Sequence, residues 1–162
     1  MISIRHSQPQ DINAIEVIYN IAREKMRRSG NFVQWVDGYP SRQDIENDIL
    51  KQQGYVCINE SGEVVAAFAF ILGEDHTYIN IEGEWLNNEP YGTIHRLGSV
   101  EGVHGILHAV VEWAKSQTEN LRLDTHESNA PMLQIVEHEG FTYCGIIYVD
   151  NGTPRRAFHK RF

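Results

Sequence analysis

The chain has little that would tie it to a disulfide framework, a membrane or a nucleic acid. Only two of its 162 residues are cysteine, Cys57 and Cys144. Two thiols cannot build the multi-bridge scaffold of a small secreted domain, so a reducing cytoplasm is the expected setting. No apolar run approaches the roughly 18 residues of a membrane span, and no membrane partner is expected. The opening residues Met1-Ile2-Ser3-Ile4-Arg5 lack the apolar core of a signal peptide. Basic residues are scarce: 14 Lys and Arg stand against 22 Asp and Glu, a formal charge of −8. A general nucleic-acid binder needs a basic face, so no nucleic-acid partner is expected either. Repeats, low-complexity tracts and linkers are also missing. With this length and a 41% hydrophobic share, one domain over residues 1–162 with a sizeable core is predicted.

What is present is an alternation of strand and helix patterns. Ile2–Arg5 reads as a short strand. Ser7-Gln8-Pro9-Gln10 reads as a capping box with Ser7 as N-cap, opening a helix striped by Ile12, Ile15, Ile18, Ala22 and Met26. Residues 30–40 form an aromatic irregular loop, and Ser41 caps a second helix. Strands are predicted at 55–58, 64–72, 77–82 and 93–97. Val64–Leu72 is almost wholly apolar, as a strand buried on both faces requires. A helix follows to about Ser116, then a strand at 121–124 and a helix from Pro131 to the helix-ending Gly140. A hairpin turns at Asp150-Asn151-Gly152. The order β-α-α-β-β-β-β-α-β-α-β-β predicts a mixed α/β (α+β) domain around a central sheet.

Gly102-Val103-His104-Gly105 lies between a strand and a helix whose Val103, Ile106, Leu107, Val110, Val111 and Ala114 form one apolar stripe. Free N–H groups at such a helix start favour an anion, and glycine lets a phosphate approach the backbone. The stretch is neither Gly-x-Gly-x-x-Gly nor a P-loop. Taken alone, its glycines read first as simply turning the chain.

Its neighbours change the reading. The strand–loop–helix–strand run, with Asn129-Ala130-Pro131-Met132 and Glu139-Gly140-Phe141, resembles the GNAT superfamily of acyl-CoA-dependent N-acyltransferases. The family's acyl-CoA motif reads Gln/Arg-x-x-Gly-x-Gly/Ala. Gly102 to Leu107 occupies it, with Gly105 matching, Gly102 in place of the Arg or Gln, and Leu107 in place of the small residue. The second motif, Asn-x-x-Ala followed by Gly-Phe, has Met132 in place of Ala. The resemblance implies a mostly antiparallel twisted sheet of six to seven strands flanked by about four helices. It implies a strand 93–99 splayed from strand 121–124, with acetyl-CoA as co-substrate between them. The cofactor would meet Leu97, Gly98 and Ser99, then the backbone of Gly102, Val103, His104, Gly105, Ile106, Leu107 and His108, with Asn129 and Met132 near its thiol end. A homodimer is common in that family.

Acyl transfer to an amine needs a polarised carbonyl, a base and a fate for the thiolate. His95 is the first candidate base, at a strand position that carries histidine in some members of the family, and is otherwise a structural histidine. Glu82 and Glu84 are alternatives for holding the amine, or solvated carboxylates. The family's tyrosine acid falls on Val136, so Tyr143 is the candidate acid. Asp124 and His126 alternate on one strand and are placed to shape a site at its carboxyl end. His104 and His108 have zinc-like i, i+4 spacing without a third ligand, so no metal is expected. No Gly-x-Ser-x-Gly elbow supports a hydrolase. Two functions follow. One is an N-acetyltransferase acting on a small-molecule or peptide primary amine by direct attack in a ternary complex. The other is a non-catalytic acyl-CoA-binding or regulatory module on the same fold.

Overall fold

The computed structural model describes residues 1–162. Eight strands form one sheet: β1 (Ser3–His6), β2 (Gly54–Ile58), β3 (Val64–Leu72), β4 (Glu82–Gly83), β5 (Gly92–Ser99), β6 (Asn120–Thr125), β7 (Thr142–Tyr148) and β8 (Pro154–Arg161). Their spatial order is β1-β2-β3-β5-β6-β8-β7-β4. All neighbours are antiparallel except β5 and β6. Four helices complete the fold: α1 (Ile12–Arg28), α2 (Arg42–Leu50), α3 (Ile106–Ala114) and α4 (Ala130–His138).

Strand alternation divides two cores across the sheet. On one face Val56 of β2 and Ala67 of β3 meet Ile15, Ile18 and Tyr19 of α1 and Ile45 of α2. On the other, Cys57, Ala66 and Phe68 pack with Val110 and Val111 of α3 and Val136 of α4. The stripe predicted for α3 is the buried one, from Ile106 to Ala114.

Three expectations are corrected. The sheet has eight strands rather than six to seven, because the two-residue β4 joins its edge against β7. The strand expected over 77–82 is reduced to β4, which begins only at Glu82. The Asp75 carboxylate accepts hydrogen bonds from the Thr77 N–H and hydroxyl, both through Oδ1, which turns the chain into a 3-10 turn at His76–Tyr78. Ser7 does not cap α1. Its N–H donates to the Gly54 carbonyl as a continuation of the β1 edge. A 3-10 turn, Pro9–Asp11, precedes α1 and is capped at Gln8, where the Asp11 carboxylate accepts from the Gln8 N–H and from Arg5; α1 itself starts after Asp11. Ser41 does cap α2, in a reciprocal box with Asp44.

Candidate active site

The site begins where the sheet comes apart. β5 and β6 are paired only at Gly92↔Leu121 and Thr93↔Arg122. Beyond Thr93 the β5 edge has no ladder partner on that side. On its other side β5 carries a bulge: Ala67 faces Gly98 and Ala69 faces His95, so two β5 residues oppose Phe68 alone. The bulge turns on Arg96, whose φ of +52° is unusual for a residue with a side chain. Asp48 of α2 grips Arg96 in a two-point pair, Nη2 to Oδ1 at 2.6 Å and Nε to Oδ2 at 2.9 Å. The Tyr39 hydroxyl accepts a third bond at 2.9 Å. Burial works against the Arg96 charge, but Tyr39 and Asp48 outweigh it and raise the guanidinium pKa. A cavity of about 770 Å³ opens from this gap, with Leu97, Leu123, Asn129 and Met132 along it.

His95 faces that cavity. Its Nε2 lies 2.8 Å from Asp75 Oδ2. Burial tends to raise the Asp75 carboxyl, yet the bonds from His95 and Thr77 hold it well below the ordinary carboxylate range. Asp75 is therefore an anion that fixes one ring nitrogen of His95. Asp124 lies at the same cavity and accepts from the buried Tyr78 hydroxyl at 2.6 Å. Burial raises its carboxyl, opposed by His95 and by that hydroxyl. His126, predicted to share the Asp124 face, does not line the cavity; it folds back on Ser128.

Loop 31–40 forms one wall, and α1 holds it. Arg27 donates to the carbonyls of Asn31, Gln34 and Trp35, and Arg23 to those of Tyr39 and Pro40. The Gln34 side-chain oxygen accepts from Asn31, Thr125, the His126 N–H and Asn129. This ties the loop to the carboxyl end of β6 and the cap of α4. Asn129 itself caps α4, its Oδ1 accepting from the Met132 N–H.

At α3 the first intrahelical bond runs from Ala109 N–H to Gly105 O. The N–H groups of Ile106, Leu107 and His108 thus have no partner in the helix. Gly102 and Gly105 both have φ of +76°, a conformation glycine adopts without strain. The Leu107 side chain points into the core, 4% exposed, so it does not narrow the approach to these groups. Gly98 is enclosed by Tyr19, Ala22 and Trp35, where a methyl would lie 3.1–3.3 Å from its neighbours. The Ser99 hydroxyl accepts from Lys25, Val103 is half-buried, and His104 is exposed.

Two candidate catalytic residues lie elsewhere. Glu84 is exposed beyond β4, its N–H bonded to the Cys144 carbonyl, and is not part of the cavity. Tyr143 is 54% exposed on β7 and packs its ring on Phe158. Neither lines the cavity at the gap. Glu82 accepts from the Tyr148 hydroxyl on the same outer edge. Val136 is wholly buried. His108 pairs with Glu139, and no three metal-ligating side chains converge. Burial pushes the Cys57 thiol up to about 12, which makes it a poor nucleophile. Asp75 was missed in the sequence because a carboxylate in a loop 20 residues before His95 carries no local signal.

Comparison with family profiles and with curated proteins finds no match. Solved structures do match. A GNAT-family acetyltransferase from Streptococcus agalactiae is 32% identical, covering 99% of this chain and 95% of its own, with a TM-score of 0.89. Another from Listeria monocytogenes shares the fold at 19% identity and a TM-score of 0.73, covering 99% and 95%. The NatC complex bound to Gag peptide and CoA does so at 13% identity and 0.62, covering 99% and 98%. With its parted sheet and a helix start with free N–H groups, the chain shares the fold of these acetyltransferases. The chain belongs to the GNAT family of acetyltransferases.

Proposed function

We propose that this chain transfers an acetyl group from acetyl-CoA to the primary amine of a small acceptor, by direct attack in a ternary complex. The observation that carries the reading is the parting of β5 from β6 at the cavity that His95 and Asp75 line. The residues present fit the co-substrate. An unpaired strand edge suits the amides of an extended pantetheine arm. The free N–H groups of Ile106, Leu107 and His108 suit a pyrophosphate, through both hydrogen bonds and the helix dipole. When bound, acetyl-CoA supplies the activated acyl group, so neither cysteine need act as a nucleophile.

His95 acts as the base. Its Nε2–H donates to Asp75, which leaves Nδ1 to take a proton from the acceptor ammonium. The Asp75 carboxylate stabilises the imidazolium that results, as the third member of a triad does. Backbone N–H groups on the β5 edge polarise the thioester carbonyl. Neither Tyr143 nor Val136 offers an acid at the cavity, so protonation of a leaving thiolate would fall to solvent.

The buried Val136 also favours the second reading, a non-catalytic acyl-CoA-binding module. One experiment separates them: thermal melting with acetyl-CoA, followed by thiol release across an amine panel. Stabilisation together with release supports transfer. Stabilisation without release from any amine supports the module, and no stabilisation overturns both.

A further inference from the structure

The cavity contains one arginine that the chain leaves without a counter-ion. Arg155 is the second residue of β8, is only 8% exposed, and lines the cavity. Its one hydrogen bond runs from Nη1 to the adjacent Pro154 carbonyl, at 3.1 Å. It belongs to none of the chain's ion pairs, which occupy Arg5, Arg28, Arg42, Arg96 and Arg156. The other two enclosed guanidiniums lie differently: Arg122 also has no ion pair and its Nε has no partner, but it does not line the cavity. Arg96 has Asp48 and Tyr39, while Arg122 has the Asn87 carbonyl and stacks on Trp85 and Tyr91. A buried cation without a partner is costly, and a planar fork of donors matches a carboxylate.

Asp124 lines the same cavity, makes no ion pair with Arg155, and already accepts from the Tyr78 hydroxyl. His95, Asp124 and Arg155 all line this one cavity, and the charges of His95 and Arg155 both act on the Asp124 carboxyl. Burial lowers the Arg155 pKa, and Asp124 only partly opposes this.

We propose that the acceptor is an amino acid, whose carboxylate pairs with the Arg155 guanidinium while its amine sits between Asp124 and His95. The proposal rests on the acetyl-transfer reading and narrows it. A polyamine brings no carboxylate, and a protein N-terminus brings none beside its amine.

The test is calorimetric titration of the CoA-saturated protein with the twenty L-amino acids, their α-carboxamides and spermidine. At least one amino acid should bind ten- to a hundred-fold more tightly than its carboxamide, the range set by charge-assisted hydrogen bonds. Arg155→Met should erase that gap and leave CoA affinity unchanged. Arg155→Lys, which keeps charge without the fork, should retain part of it. If Arg155→Met does not fold, a gap undiminished in Arg155→Lys overturns the proposal. Equal binding of acid and carboxamide, preference for spermidine, or no binding by any amino acid also overturns it. Thiol release from acetyl-CoA, read on the same mixtures, keeps the two claims apart. Amino-acid binding without release upholds the Arg155 seat and sinks transfer; release with carboxamides or spermidine alone upholds transfer and sinks the seat.

Discussion

The Asp48–Arg96 pair should be worth far more than any surface ion pair of this chain, because breaking it strands a charge under the bulge. Both side chains are largely buried, 11% and 16% exposed, and they meet at two points. Asp48→Asn keeps the shape and removes the anion, leaving Arg96 with only two neutral acceptors, the introduced amide oxygen and the Tyr39 hydroxyl. Removing one partner of a buried pair costs about 3–5 kcal/mol. At this chain length each kcal/mol moves the melting temperature by roughly 3 °C, so a fall of about 10 °C is expected. Urea unfolding followed by tryptophan fluorescence reads the same loss. The exposed Lys115–Glu112 pair supplies the control, and Glu112→Gln should leave the melting temperature unchanged. Asp48→Leu with Arg96→Met should recover much of the loss, since an apolar pair of similar volume needs no counter-charge. The bulge is also where Arg96 holds positive φ, so the single variant should weaken acetyl-CoA binding as well. A loss no larger than the control's, or a double variant no better than the single, would refute the reasoning.

His95→Gln should lower the turnover rate about 10²- to 10⁴-fold at neutral pH and leave acetyl-CoA affinity nearly intact; an unchanged rate and pH profile would make His95 structural. His159 predicts a pH dependence of stability. It is fully buried, its Nδ1 accepts from the Leu86 N–H, and Nε2 lies 2.9 Å from Asn120 Oδ1. Burial, helped by the Arg122 charge, lowers its pKa to about 4. The unfolded chain therefore binds more protons between pH ~6.5 and ~4, so stability is full above that window and falls as pH drops through it. The fall should be on the order of 3 kcal/mol, and denaturation of His159→Gln across the same range should lack that slope.

The fold was legible because its signals are local. The apolar run Val64–Leu72 is the observed β3 to the residue, and the stripe from Ile106 to Ala114 is the buried face of α3. Asp150-Asn151-Gly152 does turn the β7–β8 hairpin. The strand misread at 77–82 fails because a single carboxylate, Asp75, captures the Thr77 N–H before a ladder can. The site was less legible because it is assembled from distance. Periodicity brings His95 to a strand, but nothing in the spacing connects it with Asp75. Arg155 reads as an ordinary hairpin residue until β8 is laid beside β6. Leu107 departs from the motif by residue type, which the sequence displays, while its direction into the core is visible only in the fold. Glu84 and Tyr143 looked useful for their chemistry, and only the turn of the sheet edge shows that they face outward.

The parting of β5 and β6 has a mechanical side. Two register pairs are the whole ladder between a half-sheet of β1, β2, β3 and β5 and a half-sheet of β6, β8, β7 and β4. The α3 connection and the packing of the helices must carry the rest of the load across that seam. On the proposed reading, an extended ligand lying in it acts as a spline, stiffening the molecule along its weakest line. Amide exchange near Leu97 and Leu123 should then slow more on ligand binding than exchange within β2 or β8. The same seam limits how far the ligand-free chain can be stabilised: continuing the ladder past Thr93 would strengthen the sheet and close the channel.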